Sequence, residues 1–147
     1  MKKDNFNEWN CLIQLENVPY ELLFYNKVES YLPWKDGAGH VPELLKKWKE
    51  IEAECGLLFS KRKAGQALEP MKQGIGLFLS AVYWMHGVPV VLNDWQGQVK
   101  DFTNIPVNLV ERLSFILARP AFFHSYRQLS ELFREFEKQY VKSRMKK

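Results

Sequence analysis

The sequence predicts an all-α fold: a single-domain bundle of five or six helices packed around one buried central helix. Three observations carry this expectation. Five of the seven prolines each precede a stretch of helical periodicity, where the missing N–H of proline costs nothing. Apolar residues in those stretches recur at steps of three and four. Only VPVVL at 88–92 has the β-branched character of a strand, and no second run exists to pair with it. The chain has 147 residues, 46% of them hydrophobic and 26% charged, with 10 Phe, 6 Tyr and 5 Trp. That is enough apolar side chain to bury a core without disulfide or metal staples, and it excludes a disordered chain, a collagen-like fibre and a disulfide scaffold. Residues 1–147 are expected to form one domain, with 1–18 as a flexible arm and 143–147 as a basic tail.

Taken in order, Pro19 opens a helix over 20–32, which Pro33 ends. Pro42 opens a surface helix over 42–55, whose narrow stripe of Leu44, Leu45, Trp48 and Ile51 continues into Cys55; Gly56 is the expected stop. The segment 57–68 begins helically, then carries Lys61, Arg62, Lys63 and Gly65, and reads as a short helix running into a loop. Pro70 opens the central helix, 70–86, which Gly87 closes. No formal charge occurs between Lys72 and Asp94, a length that suffices on paper to cross a bilayer. Gly87 and Pro89 break that run, and Gln73, Ser80, His86 and Asn93 load it with polar groups, so burial in protein is the expected reading. A polar connection over 93–105 follows, longer than the usual link between helices. The next helix spans 107–118, with Asn108 and Glu111 at capping-box spacing. The last, 121–142, shows the strongest pattern, with Phe122, Tyr126, Leu129, Phe133, Phe136 and Tyr140 on one stripe.

The formal net charge of +4 is not evenly spread. Residues 119–147 carry eight basic and three acidic side chains, so the remainder of the chain is close to neutral. Such an excess suits phosphate, an acidic partner or a solvated helix end. Cys11 and Cys55 cannot complete a structural zinc site alone and suit a reducing compartment. The opening Met1, Lys2 and Lys3 lead into Asp4 and Glu8 rather than an apolar run, so a cytoplasmic location is expected.

From 84 to 140 the order of features is WMHGVPVVL, a Trp-containing loop, then PVNLVERLSFILARPAFFHSYRQLSELFREFEKQY. This resembles the YpoC-like family of Bacillus-type bacteria. The resemblance rests on the GVPV turn at 87–90, the PVNLVERLSFIL helix at 106–117 and the HSYRQLSELF segment at 124–133. It implies no particular activity; the gene neighbourhood associated with the family implies a link to DNA replication or repair.

His40, His86 and His124 stand in no metal-ligand spacing, so neither a metal nor a cofactor is expected. His86 is placed to bond the last carbonyls of the central helix, and His124 to face a neighbouring helix or solvent. Asn108 and Arg112 share a helix face, and with Asp94, Asp101 and Glu111 they compose a candidate polar cluster. Two readings apply: a pocket for a small molecule or ion, or an Arg112 that pins the long loop through a carboxylate. QGIGLFL at 73–79 lacks the Lys-Ser/Thr ending of a phosphate loop and reads as close helix packing. Ser125 and Cys55 have no base beside them in sequence. Trp34, in the glycine-rich WKDGAGH turn, and Trp95, in the long connection, are the candidate partner contacts.

The helices flanking 119–121 suggest a helix-turn-helix, yet Glu131, Glu135 and Glu137 interleave with Arg127, Arg134 and Lys138 on the second. Phosphate contacts are therefore placed at Lys61, Arg62 and Lys63 and at Lys142, Arg144, Lys146 and Lys147, without reading of base sequence. The function expected is that of a non-enzymatic binding or adaptor protein linked to DNA replication or repair, with another protein as partner and no membrane. Two alternatives are carried: a weak, sequence-independent nucleic-acid binder, and an enzyme with a pocket around Asp94, Asp101, Asn108 and Arg112. Nothing in the sequence sets an oligomeric state.

Overall fold

The computed structural model describes residues 17, 18, 20, 21, 25 and 32–145. Among these residues there are five α-helices and no strand: α1 Gly37–Ser60, α2 Leu68–Met85, α3 Trp95–Val99, α4 Leu109–Ala118 and α5 Phe123–Met145. Short 3₁₀ turns, Pro33–Asp36 and Ala64–Ala67, lead into α1 and α2. The fold is all-α. Most of the helix expected over 20–32, residues 1–16 of the arm expected over 1–18, Lys146 and Lys147 lie outside the described residues, and Val18 at the end of that arm is buried in the core.

α2 is the central helix. Twelve of its eighteen residues are buried, among them Ile75, Phe78, Val82 and Trp84, and its exposed polar side chains, Glu69 and Gln73, stand in its first turns. Its end is a Schellman turn: Val88 N–H reaches the Tyr83 carbonyl at 3.2 Å and Gly87 N–H the Trp84 carbonyl at 2.8 Å, with Gly87 at φ +78°. α1 lies along it and differs from expectation at both ends. It begins at Gly37, so that Pro42 sits inside the helix. Proline has no N–H to offer the carbonyl four residues back, and the Tyr140 hydroxyl donates to that carbonyl, Ala38 O, at 2.8 Å instead. Nor does Gly56 end α1. There the missing side chain makes room for Tyr126, whose oxygen lies 2.8 Å from where a Cβ would be and donates to the Glu52 carbonyl.

The stripe of α5 packs where α1 and α2 meet. Trp48 of α1 stacks flat on Phe133 at 4.4 Å, and Phe78 of α2 meets the same ring edge-on at 5.2 Å. Leu129, Phe136 and Tyr140 continue the buried stripe, while Phe122 does not belong to it. The helix begins one residue later, because Phe122 N–H and the Ser125 hydroxyl both bond the Arg119 carbonyl and close the α4–α5 turn. α4 begins after Asn108, but its expected capping box does not form: Asn108 adopts φ +58° and its side chain makes no cap bond.

The lone run 88–92 alternates as a strand would, with Val90 and Leu92 buried. Side chains satisfy its backbone in place of a neighbouring strand. Val90 N–H donates to Glu21 Oε2 at 3.0 Å, the Tyr25 hydroxyl donates to Val90 O at 2.9 Å, and the Tyr83 hydroxyl donates to Val91 O at 3.2 Å.

Candidate functional site

The polar cluster expected around Arg112 forms with different members. Arg112 projects from the first turns of α4 toward α5, where Nη1 and Nη2 grip Glu135 at 2.8 and 2.9 Å. Nε donates to Gln128 at 2.8 Å, and Nη1 also donates to the Val107 carbonyl at 3.0 Å. The planar fork is matched to a carboxylate, and four hydrogen bonds occupy it. Arg112 thus joins the residue before Asn108 to α5, through a backbone carbonyl and a carboxylate of α5, and its hydrogen bonds reach neither Asp94 nor Asp101 of the long connection. Those two aspartates, with Asn108 and Glu111, are exposed. Asp94 precedes α3 in a left-handed conformation, φ +62°, and its side chain makes no cap bond. A hollow of about 180 Å³ beside Asn108 and Glu111 is lined by neither aspartate nor by Arg112.

Both tryptophans offered as partner contacts are buried instead. Trp34 is 5% exposed and packs against Trp84 at 6.5 Å, because the 3₁₀ turn aims it at the end of α2. Trp95 is 1% exposed: it pairs with Val99 one turn on, and this short apolar face turns α3 inward from an otherwise polar connection. His86 holds the same connection down. It stacks on Phe102 at 4.2 Å, its Nδ1 lies 2.7 Å from the Val82 carbonyl oxygen, and its Nε2 lies 2.8 Å from the Thr103 carbonyl oxygen and 3.2 Å from the Thr103 nitrogen. Burial pushes the Cys55 thiol up to about 12, so it stays protonated. Among the described residues no three His, Cys, Asp or Glu side chains converge. No helix among them is long and apolar enough to cross a membrane.

The cations named as phosphate contacts fall into two places. Lys61, Arg62 and Lys63 follow the end of α1, beside the start of α5, whereas Lys142 and Arg144 stand in the last turn of α5, about 28 Å of helix away. At that far end lies an open groove of about 660 Å³, floored by Pro106, Val107, Val141 and Met145. Val107 is 72% exposed and Met145 78%. Arg134, Lys138 and Lys142 rim it; of its two glutamates, Glu137 is unengaged by the fork and Glu135 is neutralised by Arg112. A second hollow on the other side of α5 shares Val141 and adds Lys46 and Lys49.

The family model for YpoC-like protein matches residues 38–147. The chain belongs to the YpoC-like family. It is 34% identical over 129 residues to a Bacillus subtilis (strain 168) protein named "Uncharacterized protein YpoC", covering 87% of this chain and 79% of the relative. No solved structure matches. The region matched to the YpoC-like family contains all five helices except the start of α1, the Arg112 fork and both sides of the groove.

Within it, the groove was hidden in sequence. Its one signal is Val141 with Met145, an apolar pair one turn apart in a lysine-rich helix end and off the main stripe. Glu21 was missed for another reason: nothing in its own surroundings marks a glutamate that becomes fully buried. It accepts from Trp84 Nε1 at 2.6 Å as well as from Val90, with its second oxygen buried and unpartnered.

Proposed function

We propose that this chain is a non-enzymatic cytoplasmic adaptor whose groove along the C-terminal half of α5 receives an acidic, amphipathic segment of a partner protein. One observation carries the reading: an exposed apolar floor, Val107, Val141 and Met145, set inside a rim whose unpaired charge is net positive. Water gains entropy when such a floor is covered, and the rim selects a segment carrying carboxylates. The fork supports the same reading, because it fixes Val107 against α5 and so holds both walls in place before any partner arrives. A place in DNA metabolism belongs to the proposal on the family's association alone.

The test is a photo-crosslinking amino acid placed at Val141 and, as a control, at exposed Lys35 in the host cell. The expected outcome is one protein adduct from position 141, mapped to a segment rich in Asp or Glu, and lost in the Lys138→Glu background. Equal adducts from both positions, or an adduct indifferent to the charge reversal, would refute it.

A further inference from the structure

The opposite end of the bundle has a different chemistry. Phe59, near the end of α1, packs on Phe123 at 5.8 Å and Tyr126 at 5.4 Å, and so brings the turn after α1 beside the α4–α5 turn. The two stretches joined there, 57–68 and 115–130, hold Lys61, Arg62, Lys63, Arg119 and Arg127 and no carboxylate. The carboxylates that directly follow them are Glu69, which lies 3.6 Å from Lys72, and Glu131, one turn of α5 beyond Arg127. Two phenylalanines stand half exposed among these cations, Phe122 at 50% and Phe123 at 48%. Each carries a guanidinium over its ring: Arg119 over Phe122 at 5.5 Å and Arg127 over Phe123 at 5.8 Å.

Backbone geometry adds an independent mark. α1 ends in the same Schellman turn as α2, with Lys63 N–H on Leu58 O at 2.8 Å and Arg62 N–H on Phe59 O at 3.0 Å. At the left-handed position α2 has glycine, whereas α1 has Arg62 at φ +59°. A side chain there is strained, and an arginine spends that strain on holding a cation at the tip of this end.

We infer that this end of the molecule binds single-stranded nucleic acid, stacking bases on Phe122 and Phe123 while Lys61, Arg62, Lys63 and Arg119 hold the phosphates. Aromatic faces interleaved with cations, and free of carboxylates, are what an unpaired strand needs, since every base has a face to stack and every linkage a charge. A duplex keeps its bases stacked internally and offers such a surface only its phosphates. An anionic membrane suits apolar side chains that project beyond a belt of cations, whereas here a guanidinium lies over each ring. The site stands apart from the groove, and the crosslink at Val141 reads that groove separately, so either proposal can fail alone.

The test measures the anisotropy of a labelled oligothymidine of about 16 nucleotides, and of a duplex of equal length, with the full chain as salt rises from about 50 to about 200 mM. Expected are tighter binding to the single strand and a steep loss of affinity with salt. Phe122→Ala, which removes an exposed ring, lowers affinity about tenfold. Arg62→Gly lowers it and reduces the log–log salt slope by about 0.7 while raising the melting temperature, so lost binding cannot be blamed on lost folding. Lys35→Gln, in the 3₁₀ turn that leads into α1, changes neither. Equal affinity for duplex and single strand with Phe122→Ala silent overturns the inference. So does binding to phosphatidylserine vesicles with none to the oligonucleotide, or no binding at the lowest salt.

Discussion

Arg112 shows how a residue that looks like site chemistry in sequence becomes architecture in three dimensions. Its guanidinium is 18% exposed and Glu135 is 43% exposed, so water screens the pair and limits what the charge alone contributes. The hydrogen-bond geometry contributes more, because Arg112→Lys keeps the charge but cannot span two carboxylate oxygens, Gln128 and Val107 at once. We expect Arg112→Lys to cost about 1 kcal/mol and Arg112→Ala about 2 kcal/mol, read by urea unfolding. The pH dependence carries a second signature. The Arg112 hydrogen bond, more than its charge at a distance, holds the Glu135 carboxyl below the ordinary value of 4.5. A depressed acid contributes stability above its unfolded value and loses it as pH falls through the folded one. Stability lost on acidification below about pH 4.5 should therefore be smaller in Arg112→Ala than in the wild type. Identical acid limbs would show that the fork does not act on Glu135.

Between elements, the contact that decides the bundle is Gly74, where α1, α2 and α5 come together. A Cβ there would lie 2.6 Å from the Trp48 ring and 3.3 Å from Leu129. Helix propensity favours Gly74→Ala by about 1 kcal/mol. Packing opposes it, because Trp48 is held flat on Phe133 and has no free direction in which to yield. Packing wins: Gly74→Ala is expected to lower stability by about 1–2 kcal/mol, roughly 3–8 °C in melting temperature. Gly65→Ala, which meets nothing within 4 Å, serves as the opposite control and is expected to be neutral or stabilising. A stabilised Gly74→Ala would mean that Trp48 is not locked. The same packing explains what was legible in sequence. The α5 stripe is periodic, so Leu129, Phe133, Phe136 and Tyr140 could be written down as buried, the uncharged run of α2 marked that helix as buried as a whole, and the glycines of QGIGLFL could be read as close packing. Pro42 and Gly56 misled because their usual meaning as helix punctuation is overruled by partners far along the chain, Tyr140 and Tyr126. Trp34 and Trp95 misled in the same way, since glycine-rich and polar surroundings describe the backbone and not the direction of one side chain.

For the molecule as a whole, the groove and the aromatic end were illegible because each joins segments distant in sequence, 106–107 with α5 in one case and 57–63 with 115–127 in the other. Glu21 belongs to the same class, and it sets how the molecule responds to pH above the acid range. Its carboxyl touches α2 through Trp84 and the extended run 88–92 through Val90, so one side chain ties three segments together. Burial, outweighing the hydrogen bonds from Val90 and Trp84, holds it above the ordinary value of 4.5. For a raised acid the folded state binds more protons than the unfolded state, so stability falls as pH rises from the unfolded value through the folded one. That slope has the opposite sign to the one Glu135 produces, and the two occupy different windows, Glu135 below 4.5 and Glu21 above it. Glu21→Gln keeps an oxygen for Trp84 and Val90 and removes the charge that burial penalises. We expect the variant to lose the decline in stability that the wild type shows as pH rises above the ordinary carboxylate value of 4.5, and to be the more stable protein at the upper end of that range. If wild type and variant decline in parallel across that range, the buried carboxylate is not what makes the fold sensitive to alkali, and the tie through Trp84 and Val90 acts by geometry alone.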